Sequence, residues 1–196
     1  MVLHVVLRQR VPHGCEGSPT IGAPRIAGQP RHYLLKQLES YVDGRRRSPV
    51  MEPIAKGLLP DIRAELATHY SQVDAPVARG TTTEPSARGR VLATIGDSQR
   101  RVQACDNCHG PGGIGEPPAQ PYLAGLDAKY LSASLNAWKN GTRRNDAGQQ
   151  MATVAKAMTA QDITAVAQHY ASLPPPKPWP IDVVQAPAFD PDRQRE

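Results

Sequence analysis

Between residues 128 and 140, apolar side chains recur at Leu131, Leu135 and Trp138, at i, i+4 and i+7. That spacing gathers them into one stripe and predicts a helix from Ala128 to Asn140. Asp127 stands where a side chain can cap its start, and Gly141 where the chain can leave it. The same pattern occurs earlier: Tyr33, Leu34, Leu38, Tyr41 and Gly44 match Tyr130, Leu131, Leu135, Trp138 and Gly141, 97 positions on. Pro24 to Gly28 matches Pro121 to Gly125 at that same spacing. Further along the spacing becomes 100: Met51 to Lys56 pairs with Met151 to Lys156, and His69-Tyr70 with His169-Tyr170. So many ordered pairs define two copies of one small helical unit. Thr159 and Asp162 have the spacing of a capping box for a last helix to about Ser172, and Pro60 suits the first turn of its counterpart. No stretch alternates as a strand does, so the expected fold class is all-α, two units in tandem.

The expected division is an N-terminal unit over 1–73, a Thr-, Pro- and Ala-rich linker over 74–87, a C-terminal unit over 88–176 and a tail over 177–196. The tail is proline-rich and is expected to be extended along the surface or disordered. Only 5% of the 196 residues are aromatic and the mean hydropathy is −0.47, so two cores are hard to build from side chains alone. A buried apolar prosthetic group would supply the missing mass. The net charge of +5 suits an acidic protein partner, an anionic membrane surface or simply a solvated exterior. The basic runs Arg45-Arg46-Arg47 and Thr142-Arg143-Arg144 are read as solvated, and they lack the interleaved aromatics that stack on bases, which excludes nucleic acid. No apolar run approaches the roughly 18 residues of a membrane span. The first residues carry no recognisable export signal.

The chemistry lies in Cys105-Asp-Asn-Cys108-His109. In Cys-x-x-Cys-His, two thiols on one helical turn can add to the two vinyl groups of haem while the histidine presents its imidazole to iron. A backbone carbonyl, expected to be that of Pro121, can accept the His109 Nδ1 proton and leave Nε2 for the metal. Met151 is the candidate sixth ligand, a soft neutral thioether. With both axial positions filled the chemistry is outer-sphere electron transfer, and the chain is expected to be a carrier without catalytic residues. Other readings compete. A zinc site needs four ligands and the remaining cysteine, Cys15, is distant; a thiol redox pair belongs with a βαβ pattern. A haem enzyme would keep its distal site open. Met158, His69 and His169 are read as packing residues, since Met158 corresponds to Leu58 and the histidines lie near helix ends.

These residues, with the Gly141-Thr-Arg-Arg-Asn-Asp turn and Asp162-Ile-x-Ala-Val-Ala-x-x-Tyr170, resemble the di-haem cytochrome c4 family, two class I cytochrome c domains in tandem. The resemblance covers roughly residues 21–176. It implies covalent haem c, a periplasmic location, and electron delivery between redox partners such as a dehydrogenase or quinol-oxidising complex and a terminal oxidase, with peripheral membrane association an option. The alternative is a haem-bearing electron-transfer subunit of an oxidoreductase complex, its first domain used for docking. The first half departs from the family: His13-Gly14 aligns with His109-Gly110, but Gln9 and Pro12 replace the two cysteines. Three explanations stand: a start in the wrong frame or downstream of the true one, a first domain that has lost its haem, or a first haem held non-covalently through His13 and Met51. One haem c is therefore expected, and a second would rest on that pair. Cys15 has no assigned role.

Overall fold

The computed structural model describes residues 22–74 and 84–180. His13, with Gln9, Pro12 and Cys15, lies outside the described residues, as do most of the expected linker and residues 181–196 of the tail. In the first unit, helices α1 (Arg31–Val42), α2 (Met51–Gly57) and α3 (Pro60–Gln72) pack together, α1 against both others. In the second, α4 (Ala87–Thr94), α5 (Asp106–His109), α6 (Ala128–Lys139), α7 (Gln150–Ala157) and α8 (Ala160–Ala171) follow, with two short 3₁₀ turns at Pro111–Gly113 and Ala147–Gln149. Among the described residues β pairing is limited to isolated bridges.

The repeat is a structural repeat. α1 and α6 are 97 positions apart at both ends. The Gly28 amide donates to the Tyr70 carbonyl (2.9 Å) as the Gly125 amide does to Tyr170 (2.8 Å). The Arg46 amide donates to Ser40 (2.9 Å) as Arg143 does to Ala137 (3.0 Å). The change of spacing falls at the 3₁₀ turn Ala147–Gln149, which supplies the extra residues before α7.

Local chemistry places the helix ends where the sequence indicates. The Asp127 side chain accepts from the Tyr130 amide at 3.1 Å, and Asn140, expected as the last helical residue, is the C-cap of α6. Thr159 and Asp162 form a complete capping box on α8, and Pro60 occupies the first turn of α3. Ser86 caps α4, accepting from the Gly89 amide at 3.1 Å, and Ala87 is the first residue of that helix. α4 carries weak apolar patterning, and its placement comes from a crossing with α8 so close that a Cβ on Gly89 would collide with the Ala165 carbonyl oxygen. Only glycine permits that approach.

The C-terminal core joins Leu92, Val102, Tyr122, Leu131, Met158, Ile163, Val166 and Tyr170. Among the described residues the first unit has only Ala27 fully buried in a cluster, with Ile26, Tyr70 and Val73 against it. The start of the tail lies extended along the surface of both units, beside two glycines. A Cβ on Gly125 would meet Pro175 at 2.7 Å, and one on Gly28 would lie 3.5 Å from Pro178.

The expectation that both basic runs are solvated is corrected. Arg143 is buried, and Arg46 lies opposite it in an antiparallel bridge between the two units. These two residues follow equivalent helices, α1 and α6, and Gln37 on α1 accepts from both guanidiniums where the units meet. Arg45 and Arg47 stay exposed and pair with Asp43 and Glu52.

Candidate functional site

Cys105, Cys108, His109 and Met151 all line one cavity of about 370 Å³ in the C-terminal unit. α5 is a single turn that brings the two thiols to one wall and leaves His109 at its last position. Its geometry is held by Asp106, whose carboxylate accepts from the Gly112 amide at 3.0 Å and from the Tyr170 hydroxyl at 2.7 Å. Gly110, at φ +72°, turns the chain out of that helix in a backbone region costly for other residues.

His109 is 6% exposed, and its Nδ1 lies 2.8 Å from the Pro121 carbonyl oxygen. The carbonyl can only accept, so Nδ1 carries the proton and Nε2 keeps its lone pair. Burial pushes the imidazole below its ordinary range, against the pull of the Pro121 bond and Asp106, and the neutral, ligating form prevails at neutral pH. Burial likewise pushes the Cys105 thiol up to about 11, whereas Cys108 is exposed. Met151 lines the cavity from the first turn of α7, where the Ala152 amide donates to Asp146 at 2.9 Å. Met158 is 2% exposed in the core, and His169 is buried with its ring 5.2 Å from that of Tyr170, as packing residues should be.

Two features of this cavity carried no signal by spacing alone. The buried Trp138 indole nitrogen lines it without a hydrogen-bond partner, and the Arg143 guanidinium lies 3.8 Å over the same ring. An orphaned buried donor beside a cation calls for an acidic group in the cavity. Haem meets that demand: its ring suits the apolar walls formed by Leu131, Leu135, Val154 and Val166, and its carboxylates suit Trp138 and Arg143. The donor set of two thiols, an imidazole and a thioether fits the iron and the vinyl groups. Trp138 corresponds to Tyr41 in the repeat, and Arg46 lies 4.9 Å over that ring, so the motif is doubled. Met51 lines a second cavity, of about 800 Å³, walled mostly by the first unit and also by Leu126, Tyr130 and Arg143 of the second.

A helical unit that offers two thiols, a histidine and a methionine around an apolar slot defines the class: c-type cytochromes, which transfer electrons through haem. The cytochrome c family pattern matches residues 95–174. The thiosulfate dehydrogenase electron acceptor of Thiomonas intermedia is 40% identical over 82% of this chain and 75% of its own. Cytochrome c4 of Pseudomonas aeruginosa is 31% identical over 82% of this chain and 81% of its own. Among solved structures, thiosulfate dehydrogenase from Marichromatium purpuratum superposes with a TM-score of 0.75 at 38% identity. That match covers 81% of this chain, which spans about a third of the longer protein (34%). The chain belongs to the di-haem cytochrome c4 family, with two tandem cytochrome c-like domains and covalently bound haem c. It is an electron-transfer protein that works with redox partners rather than a catalyst in its own right.

Proposed function

We propose that Cys105 and Cys108 anchor haem c in the C-terminal domain and that His109 and Met151 are the axial ligands of its iron. The observation that carries this reading is the convergence of all four side chains on one apolar cavity, with the His109 Nδ1 proton already engaged by Pro121. When bound, the haem supplies a one-electron couple. The residues around it set its conditions: His109 presents a fixed, neutral imidazole, Met151 offers sulfur to the other face, and the apolar walls keep water out. Filling both axial positions leaves no place for a substrate. The domain limits 1–73 and 88–176, and the pair His13 and Met51 as ligands of a first haem, belong to the same proposal.

The partner is inferred to be a periplasmic dehydrogenase that delivers single electrons, with an oxidising complex of the respiratory chain downstream. Support comes from the relatives named as acceptors for thiosulfate dehydrogenase. The alternative, a subunit bound into an oxidoreductase complex, draws on the solved relative of whose longer chain the match covers 34%. A stopped-flow experiment tests the reading. Oxidised protein mixed with a thiosulfate dehydrogenase and thiosulfate should be reduced within seconds; reduction no faster than without the dehydrogenase would remove that partner. Carbon monoxide should leave the reduced spectrum unchanged, and ready binding would remove Met151 as a ligand.

A further inference from the structure

Arg143 belongs to the second unit, but the acceptor that holds it belongs to the first. Its Nη2 donates to Gln37 Oε1 at 2.9 Å, and Asn145 Nδ2 donates to the same oxygen at 2.8 Å. Arg143 Nε donates to Asn145 Oδ1 at 3.0 Å, so Gln37, Asn145 and the guanidinium close a ring of hydrogen bonds. All three side chains are buried. The ring fixes the guanidinium 3.8 Å over Trp138, whose unpartnered indole nitrogen, like Arg143 itself, lines the cavity of Cys105, Cys108, His109 and Met151. Gln37 does not line that cavity and can act on it only through Arg143.

The repeat shows that this arrangement is particular to one direction. Serine stands at both corresponding places, Ser134 for Gln37 and Ser48 for Asn145, so no second amide pair exists to hold Arg46 in the same way. Arg46 instead donates to Gln37 Oε1 (2.8 Å) and to the Tyr130 hydroxyl (3.0 Å). That the acceptor is an amide has an electrical consequence. Gln37 offers hydrogen bonds without negative charge, and among the described residues no carboxylate pairs with Arg46 or Arg143. Their charge is held in place but not cancelled. Tyr130, which lines the same cavity, registers it: burial pushes its phenol up, but Arg46 and Arg143 outweigh this and bring it well below the usual phenol range. A fixed cation beside a redox group makes loss of an electron harder, and away from water the effect is several times larger than in it.

We propose that Gln37 is a positioning residue for the C-terminal redox site: from the first domain it locks Arg143 beside the haem cavity, and this raises the potential of the covalent haem. The site is complete only while the two domains are docked. The inference rests on the reading that Cys105, Cys108, His109 and Met151 hold haem there.

Redox titration of the full chain matured with the c-haem attachment machinery, followed at the absorbance of the covalent haem, gives the first measure. At a fixed applied potential near the midpoint, Gln37→Met should lower the ratio of reduced to oxidised haem about three- to ten-fold, roughly 30–60 mV at 59 mV per tenfold for one electron. Arg143→Gln should lower it at least as far. The double variant should go no further than Arg143→Gln alone, because Gln37 acts through Arg143. The second measure is independent of the couple. In the reduced protein the Arg143 Nε proton, followed by NMR, should exchange with deuterium about ten- to a hundred-fold faster in Gln37→Met, the scale of one hydrogen bond to a charged group. Gln37→Glu separates holding from charge: exchange should stay slow, while the added carboxylate cancels the cation and the ratio falls as far as in Gln37→Met or further. Mass under denaturing conditions and helical circular dichroism confirm that each variant carries its haem and is folded. Should Gln37→Met not accumulate, Gln37→Asn, which shortens the reach of the amide, takes its place. A midpoint unchanged on removing the acceptor overturns the proposal, as do a fall of equal size with and without Arg143, or an exchange rate that does not move. A wild-type chain without covalent haem would instead overturn the reading of the C-terminal site.

Discussion

In the C-terminal domain Leu92, Leu131, Met158, Ile163 and Tyr170 meet in one core beside a cavity of about 370 Å³; among the described residues of the N-terminal domain Leu34, Tyr41, Ala55 and Ala67 are buried, and the cavity of about 800 Å³ there is walled by residues of both domains. The two share helix lengths, turn hydrogen bonds and a methionine at the same place in the repeat. What separates their described parts is how far the buried apolar side chains join into one cluster. A domain with a connected core keeps its shape before its cofactor arrives. A less connected set of buried residues gains more from what it binds, because a ligand that favours only the folded state stabilises it by mass action.

The comparison can be broken first at the attachment turn. Replacing both Cys105 and Cys108 by alanine should take covalent haem from one per chain to none, read by denaturing mass, while the helical circular dichroism of the C-terminal core persists. A collapse of the helical signal would show that this core depends on haem as much as the other does. Next comes Met151→Ala, which should lower the midpoint potential, since a thioether ligand favours ferrous iron, and should open the iron to carbon monoxide. Met51→Ala should leave the covalent haem's potential unchanged; a parallel drop would mean that the methionines had been assigned to the wrong domains.

Two smaller effects sharpen the point about packing. Gly89→Ala drives a methyl group into the α8 backbone at Ala165 and should cost about 3 kcal/mol. For a chain of this size that lowers the melting temperature by roughly 6–12 °C in calorimetry. Asp162 gives a pH signature. Burial pushes its carboxyl up, but the Thr159 hydroxyl and amide and Arg88 outweigh that and hold it at about 2. Because the folded value lies below the ordinary carboxylate near 3.9, its contribution is complete above that pH and is lost as pH falls through about 2. The contribution is about 2 kcal/mol. Asp162→Asn should therefore lower urea stability by about that much at pH 7 and by little near pH 2; an equal loss at both would assign the effect to packing.

Much of this was legible in the sequence. The repeat gave the pairing of α1 with α6, and Cys105, Cys108, His109 and Met151 were chosen by chemistry and found on one cavity. Caps are local, so Asp127, Thr159 and Asp162 could be recognised from a few residues. α4 could not, because its weak stripe is overruled by a crossing with α8 that depends on residues about 76 apart in the chain. Arg46 and Arg143 were misread for the same reason: a basic run has a solvated appearance until two copies of a fold dock face to face. Trp138 was noticed as part of a stripe, but its unpartnered nitrogen is visible only in three dimensions.

The strap of Pro175 and Pro178 across Gly125 and Gly28 gives the molecule a second connection between its halves, independent of the segment that joins α3 to α4. Severing that segment with a protease would leave two polypeptides held together only by non-covalent contacts, among them the seating of Pro178 beside Gly28 and the hydrogen bonds between Tyr122 and the first unit. The nicked protein should elute as one particle, and trimming the strap should weaken that association by the share the strap contributes beside the direct contacts of the two units.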